Sequence, residues 1–191
     1  MLQAAAAPII YDSKISYLGS AANCHIDLGI IPDDHIGVYV ECEKTSTTDA
    51  WLIGIRNDSG NTRWGIGKAT NTYYGWGSYT SGFSFSSGHL SLNWLRDHKF
   101  YTNSSSKNLT NPLPFTPIYT LSVFGWHNQG FYAVIDCGMR VSRLKVSRDS
   151  DIIMDLIPVR VGTVGCFYDE ISQQLFYNGG TGDLVLGPDI V

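Results

Sequence analysis

Glu41 and Glu43 stand two apart in the alternating segment Gly37-Val-Tyr-Val-Glu-Cys-Glu43, which places both carboxylates on one strand face. Retaining glycoside hydrolysis requires two carboxyl groups about 5 Å apart, one as nucleophile and one as acid and base. Neither a third acid nor a tryptophan floor follows at a workable spacing, and Lys44 adjoins the pair. The two glutamates therefore read as a polar sheet face. Nucleophilic catalysis has no better footing. No G-x-S-x-G elbow leads into a helix, and His25, His35, His89, His98 and His127 are scattered without an H-x-x-x-H pair. The expectation is a chain that is not an enzyme, with no catalytic residues.

Aromatic residues offer the alternative, which is ligand contact without bond-breaking. Tyr73-Tyr74-Gly75-Trp76-Gly77-Ser78-Tyr79 and Trp126-His127-Asn128-Gln129 concentrate large rings where solvated turns need none. Sugars present CH faces that stack on such rings, while amide and hydroxyl groups bind their hydroxyls. The expected carbohydrate-binding residues are Tyr73, Tyr74, Trp76, Tyr79, Trp126, His127 and Asn128. The competing reading of both clusters is core packing or a subunit interface.

Other chemistries are poorly supported. Asn178-Gly-Gly-Thr-Gly182 has neither the lysine nor the following helix of a phosphate-binding loop. Cys24, Cys42, Cys137 and Cys166 show no CxxC and no histidine at metal-ligand spacing, so no metal site is expected from them. Buried free thiols are the expected state, with two disulfides as the alternative. A net charge of −4 without a dense Lys/Arg cluster argues against a nucleic-acid partner. Arg140, Arg143, Lys145 and Arg148 instead mark a solvated sheet face. No apolar run approaches the roughly 18 residues that span a bilayer, so membrane insertion is not expected. Met1 to Pro8 lacks the basic region and apolar core of a classical signal peptide.

Strands must position these groups, because no stretch has the apolar period of an amphipathic helix. Short strands are expected at Ile15 to Leu18, His25 to Ile30, Gly37 to Glu43, Trp51 to Arg56 and Arg63 to Gly67. Two more fall within Lys68 to Gly88, and His89 to Leu95 with Lys99 to Thr102 form a hairpin. Tyr119 to Trp126 and Val141 to Ser147 follow, then the β-branched run from Ile152 to Val161. Pro158 within that run predicts an edge strand or a bulge. Only 16% of residues are charged and 43% are hydrophobic, which fits one turn-rich all-β domain, an antiparallel β-sandwich. The expected division is an N-terminal arm over 1–14, flexible or used for attachment, and a single domain over 15–191.

Three blocks near the C-terminus sharpen this. Asp155-Leu-Ile-Pro-Val-Arg160, Val164-Gly-Cys-Phe-Tyr-Asp169 and Leu175-Phe-Tyr-Asn-Gly-Gly-Thr-Gly182 resemble the signature of concanavalin A-like, laminin-G-like jelly-roll domains of phage virion proteins and gut-bacterial surface proteins. Tyr17-Leu-Gly-Ser-Ala-Ala-Asn-Cys-His-Ile-Asp-Leu-Gly-Ile30 resembles the opening block of the same family. The resemblance implies a jelly roll at a virion or extracellular surface, in a tail fibre, spike or decoration protein, with a cell-surface glycan or polysaccharide as ligand. Other virion proteins and a homo-oligomer such as a trimer are the implied protein partners. A structural virion subunit without its own glycan site is the alternative. The E-x-D-x-x-E motif of the glucanase branch is absent. No cofactor is expected. Calcium is the one open alternative, since such domains often hold it on loop carboxylates like Asp33-Asp34, Asn57-Asp58 and Asp149/Asp151.

Overall fold

The computed structural model describes residues 10–45, 50–56, 63–68, 72–77, 79–83, 89–95, 99–101, 106–108, 116–128, 131–133 and 138–190, and no helix occurs among them. Two sheets are present. The larger contains β1 (Ser13–Ile15), β2 (Leu18–Gly19), β4 (Ile36–Lys44), β9 (His89–Leu95), β10 (Lys99–Tyr101), β11 (Ser106–Asn108), β15 (Met139–Arg148), β16 (Asp151–Val161), β17 (Val164–Asp169), β18 (Leu175–Tyr177), β19 (Val185–Leu186) and β20 (Asp189–Ile190). Its main path runs β11-β10-β9-β4-β15-β16-β1-β20, with β17 bridging β16 to β18 and β2 bridging β15 to β19. The smaller contains β3 (Ile26–Asp27), β5 (Ala50–Arg56), β6 (Arg63–Lys68), β7 (Thr72–Gly77), β8 (Tyr79–Phe83), β12 (Ser122–Val123), β13 (Trp126–Asn128) and β14 (Phe131–Ala133). Its path is β14-β13-β5-β6-β7-β8, and β12 joins β5 to β3. Pairing is antiparallel except where His127 of β13 meets Ile55 of β5.

Alternation creates the shared core. In β4, Ile36, Val38, Val40 and Cys42 are buried, whereas Tyr39, Glu41 and Glu43 keep partial exposure. Val141 and Leu144 of β15 are both buried although three apart. A register shift between Val141 and Arg143 makes this possible: the extra residue, Ser142, forms a bulge, so Arg140 and Arg143 stay on the outer face. From the smaller sheet come Ile26, Ile53, Ile55, Trp64, Ile66 and Val123. Phe124, which follows β12, stacks on Phe167 of β17 at 6.3 Å, closing the space between the sheets. The architecture is all-β and β-sandwich-like.

Three expectations need correction. Ile15 to Leu18 is not one strand, because β1 ends at Ile15 and β2 begins at Leu18. Tyr119 to Trp126 is not one strand, because Phe124 takes a left-handed conformation (φ 63°) that separates β12 from β13. Pro158 is not on an edge strand, since β16 has neighbours on both sides. It falls between Leu156, the last residue paired to β15, and Val159, the first paired to β1. A residue without an N–H fits that gap in the ladder.

Beyond Leu156, β16 is buried on its second face as well. Ile157, Val159 and Cys166 form a small outer cluster with Tyr11, Val161, Tyr168 and Leu175, and Tyr11 meets Tyr168 edge-on at 4.9 Å. β1 takes in Ser13 and Lys14 of the segment expected as an arm; residues 1–9 lie outside the described residues. Cys24, Cys42 and Cys166 are buried free thiols, and burial pushes the Cys166 thiol up to about 11. Cys137 lies outside the described residues.

Two side chains fasten the C-terminal turns. Asn178 Oδ1 accepts from the backbone N–H groups of His25 (3.0 Å) and Gly180 (2.9 Å), while its Nδ2 donates to the Gly182 carbonyl at 2.5 Å. A Cβ at Gly180 would fall on the Asn23 carbonyl, which is why glycine stands there. Asp169, 1% exposed, accepts from the N–H groups of Asp155, Ile171 and Ser172 and from the Ser172 hydroxyl. Replacing it strands three backbone donors. Asp169→Ala is expected to destabilise the protein by about 3 kcal/mol, read as a lowered urea midpoint with an unchanged slope.

Candidate functional site

The expected ligand-contact residues gather in the smaller sheet. Ile53 and Ile55 of β5 point into the core, so Gly54 and Arg56 occupy the outer face. Strict alternation would send Trp51 inward with the isoleucines. A register shift between Trp51 and Ile53 turns it outward, where its Cε3 would lie 3.5 Å from a Cβ built on Gly54. Gly65, opposite Gly54, has φ +153°, a conformation that side-chain-bearing residues rarely adopt, and a Cβ there would strike the β5 backbone. The glycine pair places no side chain on this part of the sheet, and the tryptophan ring lies over it, with both glycines buried.

β13 completes the surface. The rings of Trp126 and Trp51 are 5.1 Å apart at 56°, and the Arg56 guanidinium sits 5.6 Å from the Trp126 ring. Both indoles remain partly exposed. The arrangement is a tilted aromatic pair with a cationic edge, suited to stacking on the CH face of a ring and to donating hydrogen bonds beside it. His127, one residue on, faces other partners: its Nδ1 lies 3.1 Å from Thr120 Oγ1 and its ring packs on Tyr119 at 4.8 Å. Asn128 pairs in register with Phe131.

The second expected cluster is on β7 and β8. In the backbone register Tyr74 pairs with Ile66, Trp76 with Trp64 and Tyr73 with Gly67, and Tyr79 pairs with Trp76. β5 and β6 separate β7 from β13, a distance of about 14 Å at ~4.8 Å per strand. One sheet thus carries both clusters without making them neighbours. Trp51 and Arg56 were missed as site residues by sequence reasoning; the signals available were a tryptophan and an arginine flanking Gly54, matched by Gly65 on the next strand.

The carboxylates considered for catalysis and metal binding have structural partners. Glu41 accepts from the Tyr39 hydroxyl at 2.7 Å, and Glu43 pairs with Arg140 at 3.3 Å. Asp33 accepts from Arg148 at 2.7 Å, and Asp149 lies 2.9 Å from His35 Nδ1. No group of three or more His, Cys, Asp or Glu side chains is arranged to hold a metal ion among the described residues. Asn57-Asp58 lies outside them.

No protein-family model matches this chain, and no curated protein matches it at a significant level.

Two histidines titrate in opposite directions. Burial lowers His25 below its ordinary 6.5, aided by His127 and opposed by Asp27. The hydrogen bond to Asp149 raises His35, with the charges of Asp149, Asp34 and Asp33 adding to it. A lowered histidine contributes stability that is full above the unfolded value and lost as pH falls through the folded one; a raised histidine contributes stability below the unfolded value that is lost as pH rises. Histidine ring NMR titrations are expected to place the midpoint of His25 below 6.5 and that of His35 above it. His35→Gln should lower the melting temperature in acid and leave it unchanged in alkali.

Proposed function

We propose that the chain is a non-enzymatic carbohydrate-binding or host-recognition module of a phage virion or cell surface. In this reading the two sheets form a jelly roll of the concanavalin A-like, laminin-G-like type. Residues 15–191 make up that domain, and the N-terminal segment serves attachment. The observation that carries it is the Trp51–Trp126 pair with Arg56 beside it, a partly exposed aromatic surface packed over a buried glycine pair. Exposed indoles on a rigid strand lose little entropy on stacking with a sugar ring, whereas an ordinary solvated face would carry charged side chains there. The family-like blocks add support, because the opening block and the C-terminal block dock on each other through His25 and Asn178. Neither glutamate of the β4 pair is free of a partner, which supports binding over hydrolysis.

A structural virion subunit acting through oligomerisation is the second reading. Its support is β20, the last strand on its sheet path, which pairs only with β1 among the described residues and leaves Ile190 54% exposed. The exposed isoleucine is apolar surface that a second chain would cover.

On an array of bacterial polysaccharides and common glycans the protein is expected to bind a subset of ligands. Trp126→Ala and Trp51→Ala should each weaken that binding about tenfold or more, the equivalent of ~1.4 kcal/mol. Folded protein that binds nothing, yet sediments as a defined homo-oligomer, would move the assignment to the structural reading.

A further inference from the structure

The outer face of the larger sheet holds a separate cavity that belongs to none of the groups above. It measures about 210 Å³ and is lined by Ser16, Tyr17, Glu43, Arg140 and Ser142. The β15 bulge builds one wall: Ser142 is the inserted residue, and its hydroxyl donates to the Glu41 carbonyl at 3.3 Å. Ser16 and Tyr17, between β1 and β2, build the other and are held by the C-terminal segment. Ser16 N–H donates to the Pro188 carbonyl and Gly187 N–H to that of Tyr17, both at 2.9 Å. A Cβ at Gly187 would come within 2.8 Å of the Tyr17 ring, so glycine lets the ring approach.

The donor and acceptor inventory of this cavity is incomplete. Arg140 lies over the Tyr17 ring at 4.5 Å and makes one 3.3 Å contact with Glu43, leaving most of its five N–H donors without a partner among the described residues. Glu43 engages one carboxylate oxygen, Oε2, in that contact. The Ser16 hydroxyl is buried and has no hydrogen-bond partner among the described residues. A lone contact between half-exposed charged groups is weakly held and opens easily. Opposite charges side by side disfavour an anion and a cation alike. They suit a neutral group whose adjacent hydroxyls can donate to the carboxylate and accept from the guanidinium.

We propose that this cavity is a second carbohydrate site, one that takes a single neutral pyranose ring through a vicinal diol. Glu43 and Arg140 grip the diol, Tyr17 flanks the ring, and Ser16 and Ser142 are the nearest further hydroxyls. The volume admits one ring, below the ~300–1,000 Å³ of pockets for larger ligands. The site is on the opposite sheet from the tryptophan pair and does not depend on binding there.

The test is a two-dimensional NMR titration of the full chain, Arg140 Nε–Hε included, with methyl glycosides of glucose, galactose, mannose and N-acetylglucosamine, and with glucuronate. At least one neutral glycoside is expected to shift Tyr17, Arg140 and Ser142 with saturation. The isosteric Glu43→Gln should weaken this about tenfold, as should Arg140→Gln, while Trp126→Ala leaves it unchanged. The proposal is overturned if no neutral glycoside shifts these residues, if only glucuronate does, or if Glu43→Gln binds as well as the parent. Shifts confined to Trp51 and Trp126 would also overturn it while upholding the tryptophan surface.

Discussion

An asparagine amide offers two donors and an acceptor oxygen with two lone pairs, and at Asn178 all four are engaged. Oδ1 serves His25 and Gly180, and Nδ2 serves the Gly182 carbonyl and the Cys24 sulfur. The His25 contact spans 153 residues and ties the segment after β18 in one sheet to the segment before β3 in the other. Aspartate would supply the acceptors without the donors, and histidine would not fit against the glycine backbone. The close approach of Gly180 and Gly182 to the Ala22 and Asn23 carbonyls follows from this fastening, as does the burial of His25.

The outer faces of the two sheets have diverged in character. On the larger, Arg143 grips Asp155 with two 2.8 Å hydrogen bonds and reaches Glu170, while Lys145 and Lys14 add further pairs. Burial works to raise the Asp155 carboxyl, but Arg143 and Lys145 hold it below its ordinary value. These groups are paired among themselves, whereas the Glu43–Arg140 contact elsewhere on the same face is single and longer, at 3.3 Å. On the smaller, two partly exposed tryptophans lie beside Arg56, and water displaced from such rings is released favourably.

Where period two is clean, the strand was legible: Gly37 to Glu43 lies within a strand of the structure, and Val38, Val40 and Cys42 share the buried face. What escaped is the effect of one inserted residue. The shifts at Ser142 and after Trp51 each reverse the facing of the next residues along the strand, and a residue count alone does not reveal them. The reversal at Phe124 escaped for a related reason, since a phenylalanine at positive φ contradicts local preference and is imposed by the aromatic packing around it. Among the candidate site residues, Trp126 was singled out from the sequence, and its ring is partly exposed. Its partners Trp51 and Arg56 were not, because their adjacency depends on β13 lying beside β5, a parallel contact that no hairpin signal announces.

Chain order gives the first three strands an unusual history. β1 pairs with β16 and β20, β2 with β15 and β19, and β3 with β12, so among the described residues none has a partner strand nearby in sequence. During synthesis all three emerge long before anything they can pair with, and folds built on such distant contacts close slowly. Unpaired strand edges in a waiting nascent chain invite association with other chains. At two or three residues each, these strands are too short to template it. Their brevity protects the growing polypeptide until its later half arrives.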